Sequence, residues 1–191
     1  MKDAMNKIKS TLIVAAVVLG ALPLLAQPKT RVSPQATITA DIDGNNLKIV
    51  YSRPYSKDPK SGEIRKIWGK LVPYGKVWRT GANEATLLTT AQPIVLGGTE
   101  IPAGTYSVFT LPVENGTSKF IINKKTGQWG VPYKEADEAA NELARIDLKK
   151  DVLDKTVDQF TMAIEKNPAG GGVIKLMWEN TQFSVPFTVK K

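Results

Sequence analysis

Hydrophobic alternation with a period of two residues recurs along this chain and commits most of it to strands. Ala36, Ile38, Ala40 and Ile42 alternate with Thr37, Thr39 and Asp41, the pattern of a strand with one buried face. Asp43-Gly44-Asn45-Asn46 follows, turn chemistry that returns the chain as a hairpin through residues 47–51. Further strands are expected at residues 85–90, 93–96, 105–111 and 119–123, punctuated by Gly- and Pro-containing turns. Near the C-terminus Phe160, Met162 and Ile164 share a face. So do Ile174, Leu176 and Trp178, and again Phe183, Val185, Phe187 and Val189. Pro186 points the other way and suits an edge strand, because it cannot donate to a ladder. Residues 134–143 are rich in Lys, Glu, Ala and Leu without Gly or Pro, which predicts one short helix. The expected fold is all-β, an antiparallel β-sandwich or partly open barrel with that one helix.

The N-terminus bears on compartment. Lys2, Lys7 and Lys9 precede an apolar run centred on residues 12–22, the charged and apolar regions of a secretory signal. Pro23 interrupts the run short of the ~20 residues that a membrane span needs, and Ala26 offers a cleavage site. The expectation is a signal peptide over 1–26, a polar linker over 27–34 and a single β domain over 35–191. The mature protein would be periplasmic or secreted, without a transmembrane segment. Cleavage would remove three lysines and Asp3, taking the formal charge from +8 to +6. With the lysines scattered and no basic run, this balance predicts solubility and attraction to anionic envelope surfaces, and no nucleic-acid partner.

The chain has no histidine and no cysteine. That excludes a Ser-His-Asp triad, a thiol nucleophile, disulfides and an ordinary zinc site. Catalysis would have to run on carboxylates, lysine, tyrosine, serine or an oxygen-bound metal. Asp41, Asp43 and Asn45 alternate as calcium ligands could, but a hairpin turn accounts for them more simply. Asp137, Glu138 and Glu142 read as a solvated helix face. No cofactor and no metal are expected.

Residues 51–86 break the alternation. They concentrate Arg53, Arg65, Arg79, Trp68, Trp78 and Tyr74 among several Gly and Pro residues, and an irregular stretch this long inside a compact domain is functional or disordered. Its apolar content argues against disorder. The blocks Tyr51-Ser52-Arg53-Pro54, Ile67-Trp68-Gly69, Leu71-Val72-Pro73-Tyr74-Gly75 and Trp78-Arg79-Thr80-Gly81-Ala82-Asn83-Glu84-Ala85-Thr86 resemble the DUF2911 family, as do Pro102-Ala103-Gly104-Thr105-Tyr106-Ser107 and Trp129-Gly130. The resemblance covers nearly all of the chain after the signal. Members typically carry Gly-Arg just before the Ile-Trp-Gly block, whereas here Ile64 precedes Arg65 and Ser61-Gly62-Glu63 reads as a small insertion. The family's function is unknown, so the resemblance implies a fold and a site without an activity. An asparagine synthetase label carried by some members does not fit, since no N-terminal cysteine nucleophile and no Ser-Gly-Gly nucleotide loop is present.

The candidate site is Arg53, Trp78, Arg79, Asn83 and Glu84. Guanidinium forks bind carboxylate or phosphate, an indole offers a stacking face, and Asn with Glu reads hydroxyls. That set suits a small anionic or sugar ligand in a non-catalytic ligand-binding or cell-envelope-associated module. The enzymatic alternative is a carboxylate-based hydrolase of a sugar-like or anionic substrate, which needs a second acid near Glu84. The structural alternative is a strut: Arg79 and Glu84 paired with each other, and Trp68 and Trp78 as core plugs.

Overall fold

In the computed structural model, residues 31–129 and 133–190 are described. The expected signal peptide and residues 27–30 of the expected linker lie outside them. The strands are β1 (Gln35–Ile42), β2 (Asn45–Ser52), β3 (Thr86–Thr90), β4 (Ile94–Leu96), β5 (Thr99–Ile101), β6 (Gly104–Leu111), β7 (Lys119–Asn123), β8 (Glu142–Asp147), β9 (Lys149–Lys166) and β10 (Gly172–Val189). One antiparallel sheet has the order β1-β2-β3-β6-β7-β8 and the other β5-β4-β10-β9. The fold is therefore an all-β sandwich.

Alternating apolar residues of both inner faces form the core. Leu47, Ile49, Leu88, Val108, Phe120 and Ile122 come from the first sheet, facing Ile94, Leu96, Phe160, Ile174, Trp178, Phe183 and Val185 from the second. Strand β6 is buried on its outer face as well, where Phe109 packs edge-on against Tyr133 with ring centroids 4.8 Å apart.

The two longest strands form one hairpin that bends. Gly171, in the hairpin turn, places a notional Cβ only 2.1 Å from the Phe187 carbonyl oxygen. A straight strand would separate these positions by roughly 50 Å. The bend falls at the register shifts around Glu179, where β9 inserts extra residues opposite β10 and Glu179 itself adopts φ 52°. The same break changes the buried parity of β10, from Ile174, Leu176 and Trp178 to Thr181, Phe183, Val185 and Phe187. The two period-two runs in the sequence are thus one strand.

Three sequence expectations are corrected. Strand β10 lies inside its sheet, so Pro186 is not on an edge strand; it falls between the last pair with β9, Ser184↔Lys149, and the first with β4, Phe187↔Leu96. Of the helix expected over 134–143 only one α turn, α1 (Glu135–Glu138), and a 3₁₀ turn form. Residues 142–147 pair with β7 and bury Ala144 and Ile146, a tertiary gain that overrides local helix propensity. Glu138 is not solvated: it is buried, accepts from Asn123 and pairs with Lys125. The Asp41, Asp43 and Asn45 side chains are engaged in the turn. Asp41 accepts from Gly44 N, Asp43 from Gly171 N, and buried Asn45 donates to Thr90 and Gln92.

Candidate functional site

Beyond β2 the chain leaves the first sheet and runs along the free edge of β9. Ser56 N donates to Asp158 O and Phe160 N to Pro54 O. Arg53 reinforces this seam, with Nε 3.1 Å from Phe160 O and Nη2 2.8 Å from Thr161 Oγ1. Next comes a tight turn in which Val72 N donates to Ile67 O and Gly69 N to Val72 O, plugging Ile67 and Val72 into the core. Trp78 then pairs with Thr110 of β6 through both backbone bonds. Its indole packs on Phe160 at 5.0 Å and stacks on Trp178 at 5.9 Å, while Trp68 meets Trp78, Trp178 and Phe183 edge-on. Trp68 and Trp78 are partly buried and pack against the core.

Residues 79–86 form a strained turn. Thr80 is fully buried at φ 54°, an outlier for a β-branched residue. It is held there by a 2.8 Å hydrogen bond to Thr110 and by Thr86 Oγ1 donating to its carbonyl at 2.7 Å. Gly81 sits at φ 150° against Ser52, whose carbonyl oxygen a Cβ would meet at 2.7 Å, so no other residue fits. Asn83 at φ 60° completes the turn.

This geometry sends Arg79 and Glu84 apart, and the expected pair between them does not form. Glu84 is held by both guanidinium nitrogens of Arg31, at 2.7 and 2.8 Å. Those hydrogen bonds, with one from its own backbone, hold its carboxyl below the usual range. Arg79 donates instead to the backbone oxygens of Asn83, 2.6 Å, and Trp129, 3.0 Å. It has no carboxylate partner among the described residues, and burial pushes its guanidinium below its ordinary value.

Beside this turn opens a cleft of about 490 Å3, within the usual size of small-molecule sites. Trp78, Arg79 and Asn83 line it; Arg53 and Glu84 do not. The other lining cations are Arg65 and Lys76, and among the described residues no Asp or Glu contributes to the wall. Arg65 donates to Tyr55 O and lies 3.9 Å from Asp58, yet its buried Nε has no partner. Apolar surface comes from Tyr55, Leu71, Trp129, Val32 and the buried Trp178. Seven of these cleft residues, Arg65, Lys76, Tyr55, Leu71, Trp129, Val32 and Trp178, are not in the candidate site. Val32 falls in the expected linker, Tyr55 and Lys76 carry no motif of their own, and Leu71 belongs to a family block that signals no chemistry. Trp129 was visible only as part of the Trp129-Gly130 block, fifty residues from Arg79.

The architecture defines a two-sheet β domain with a cationic, aromatic-walled cleft built by one irregular segment. A family model described as "Protein of unknown function (DUF2911)" matches residues 33–187, and the chain belongs to that family. No curated protein and no solved structure matches the chain significantly.

Proposed function

We propose that the cleft binds a small anion with an apolar or aromatic body, such as an aryl or alkyl carboxylate or phosphate monoester, and performs no chemistry on it. The observation that carries this is Arg79: a half-buried guanidinium with only backbone acceptors, in a wall with two further cations and no acid. A desolvated cation without a counter-charge is costly, and a bound anion would remove that cost through a bidentate pair. Tyr55, Leu71 and Trp129 would cover the rest of the ligand. The hydrolase alternative draws no support from this wall, because acid–base cleavage of a glycoside needs two carboxyl groups about 5–10 Å apart.

Calorimetric titration with phenyl phosphate, benzoate and neutral benzamide tests the reading. Binding of the anions but not the amide is expected, with loss in Arg79→Ala. Equal binding of benzamide, or of neutral sugars alone, would overturn it. The same proposal puts the domain outside the cytoplasm after cleavage behind Ala26, on the strength of the charged-then-apolar N-terminus. N-terminal sequencing should begin at Gln27, and a chain retaining residues 1–26 would refute that part. Among the described residues no helix is long and apolar enough to cross a membrane.

A further inference from the structure

Charge is distributed unevenly about the cleft. Of the 22 Lys and Arg and 17 Asp and Glu in residues 31–191, segment 53–84 holds eight and three. The remainder is balanced at fourteen of each, so this one segment carries the whole net charge of the domain. Lys57, Lys60, Lys66, Lys70 and Lys76 are all exposed. Among the described residues none of the five has a carboxylate within ion-pair distance. Of the eleven other described lysines, Lys119, Lys125, Lys134, Lys149, Lys166, Lys175 and Lys190 each have one, and Lys48, Lys124, Lys150 and Lys155, spread over other elements, have none.

Exposed apolar side chains gather in the same place. Among the described residues six large hydrophobics are exposed: Val32, Tyr55, Ile64, Leu71, Trp129 and Val152. Four of them line the cleft. Ile64 adjoins Arg65 of its wall and bridges Lys57, leaving only Val152 apart. Exposed apolar residues on a monomer are ordinarily scattered, and a cluster ringed by polar groups marks an interaction surface.

We infer that this face docks on an anionic lipid surface, with Tyr55, Ile64, Leu71 and Trp129 at the headgroup–acyl boundary and the five lysines against lipid phosphates. The unpaired lysines supply the electrostatic attraction that anionic leaflets exert on basic segments. Trp and Tyr suit a boundary that is apolar on one side and wet on the other. Nucleic acid would engage the lysines and Trp129 but would gain little from Ile64, Leu71 and Val32, whose aliphatic surface gains by leaving water. A bilayer boundary uses both sets. Docking does not depend on the cleft being occupied.

Fluorescence of the full chain tests the inference. The other three tryptophans are packed together in the core cluster, so Trp129 is the one exposed reporter. Phosphatidylglycerol vesicles with brominated acyl chains should quench and blue-shift its emission, and phosphatidylcholine vesicles should not. Trp129→Phe should remove the quenched component. That readout separates docking by this face from any attachment through residues 12–22. The double variant Lys66→Glu, Lys70→Glu, checked for an unchanged melt, should weaken binding about tenfold or more. Ile64→Ser should reduce quenching while leaving phenyl phosphate binding intact. Absence of Trp129 quenching by anionic vesicles, or equal quenching by zwitterionic ones, would overturn the inference. A shift produced by single-stranded DNA or polyglutamate and not by vesicles would do so too, assigning the face to nucleic acid or an acidic protein.

Discussion

At the end of the sandwich where the β9–β10 turn meets the β1–β2 turn, polar groups find partners. Asn45 donates to Thr90 and Gln92 and accepts from Gln92 N, Asp43 takes Gly171 N and Lys166, and Phe187 closes over Gly172. Around the cleft the opposite holds. Among the described residues the buried side-chain atoms without a partner are Ser56 Oγ, Arg65 Nε, Trp68 Nε1, Gln128 Nε2 and Trp178 Nε1, and each belongs to the irregular segment, to the cleft wall or to the chain beside Trp129. Of the four non-glycine residues with left-handed backbone among the described residues, Thr80, Asn83 and Glu179 (next to Trp178) lie there, and Asp43 lies in the β1–β2 turn of the other end. Orphaned polar atoms and backbone strain persist where something beyond stability retains them. One end closes its polar groups on one another, and the other keeps unused hydrogen-bonding capacity, with Arg65 and Trp178 among the residues of the cleft wall.

The largest effect should come from the closed end. Phe187→Ala is expected to lose about 3–5 kcal/mol in a urea melt, and a loss below about 1 kcal/mol would mean that end is not tightly packed. Asn45→Ala strands Gln92 N, while the Thr90 hydroxyl keeps its bond to Gln92 O, and should cost about 1–3 kcal/mol. Near the cleft the sign can reverse. Glu179 sits at φ 52° with its carboxyl pushed up by burial. Glu179→Gly should therefore stabilise by about 0.5–1 kcal/mol, the left-handed penalty less the entropy glycine loses. Because its folded pKa is raised, the native state holds the proton longer than the unfolded chain. Stability should then fall as pH rises from the ordinary glutamate value through the raised one, and Glu179→Gln should flatten that slope. A steeper slope in the variant would contradict the assignment. The smallest effect should be at Arg31 and Glu84. Their bidentate pair is exposed, so Arg31→Ala should change stability by less than about 1 kcal/mol, as read by a urea melt.

How far the sequence carried the reading depends on whether the information was local. The β1–β2 hairpin was legible because alternation and Asp43-Gly44 act within a few residues. The first half of β9 was not: none of residues 149–158 is buried, and their strand register is set by pairing with β10. The helix expected over 134–143 forms only as far as Asn141, because pairing of residues 142–147 with β7 outweighs propensity. Of the five candidate residues, Trp78, Arg79 and Asn83, which residue type and context single out, line the cleft. The Arg79–Glu84 pair was misassigned because its outcome rests on the left-handed turn between them and on Arg31, in the segment read as linker. Of the seven lysines and arginines spaced over residues 57–79, the folded loop brings Arg65, Lys76 and Arg79 to one cleft wall.

The central claim is that Arg79 is held ready for an anion rather than bracing the loop. Urea unfolding of wild type and Arg79→Ala, each with and without phenyl phosphate, tests it most directly. Without ligand the variant should lie within about 1 kcal/mol of wild type, since no partner charge is stranded. Phenyl phosphate at about 100 times Kd should add about 2.7 kcal/mol to wild type and nothing to the variant. A loss of about 3–5 kcal/mol in ligand-free Arg79→Ala, or equal stabilisation of both proteins by the ligand, would contradict the account.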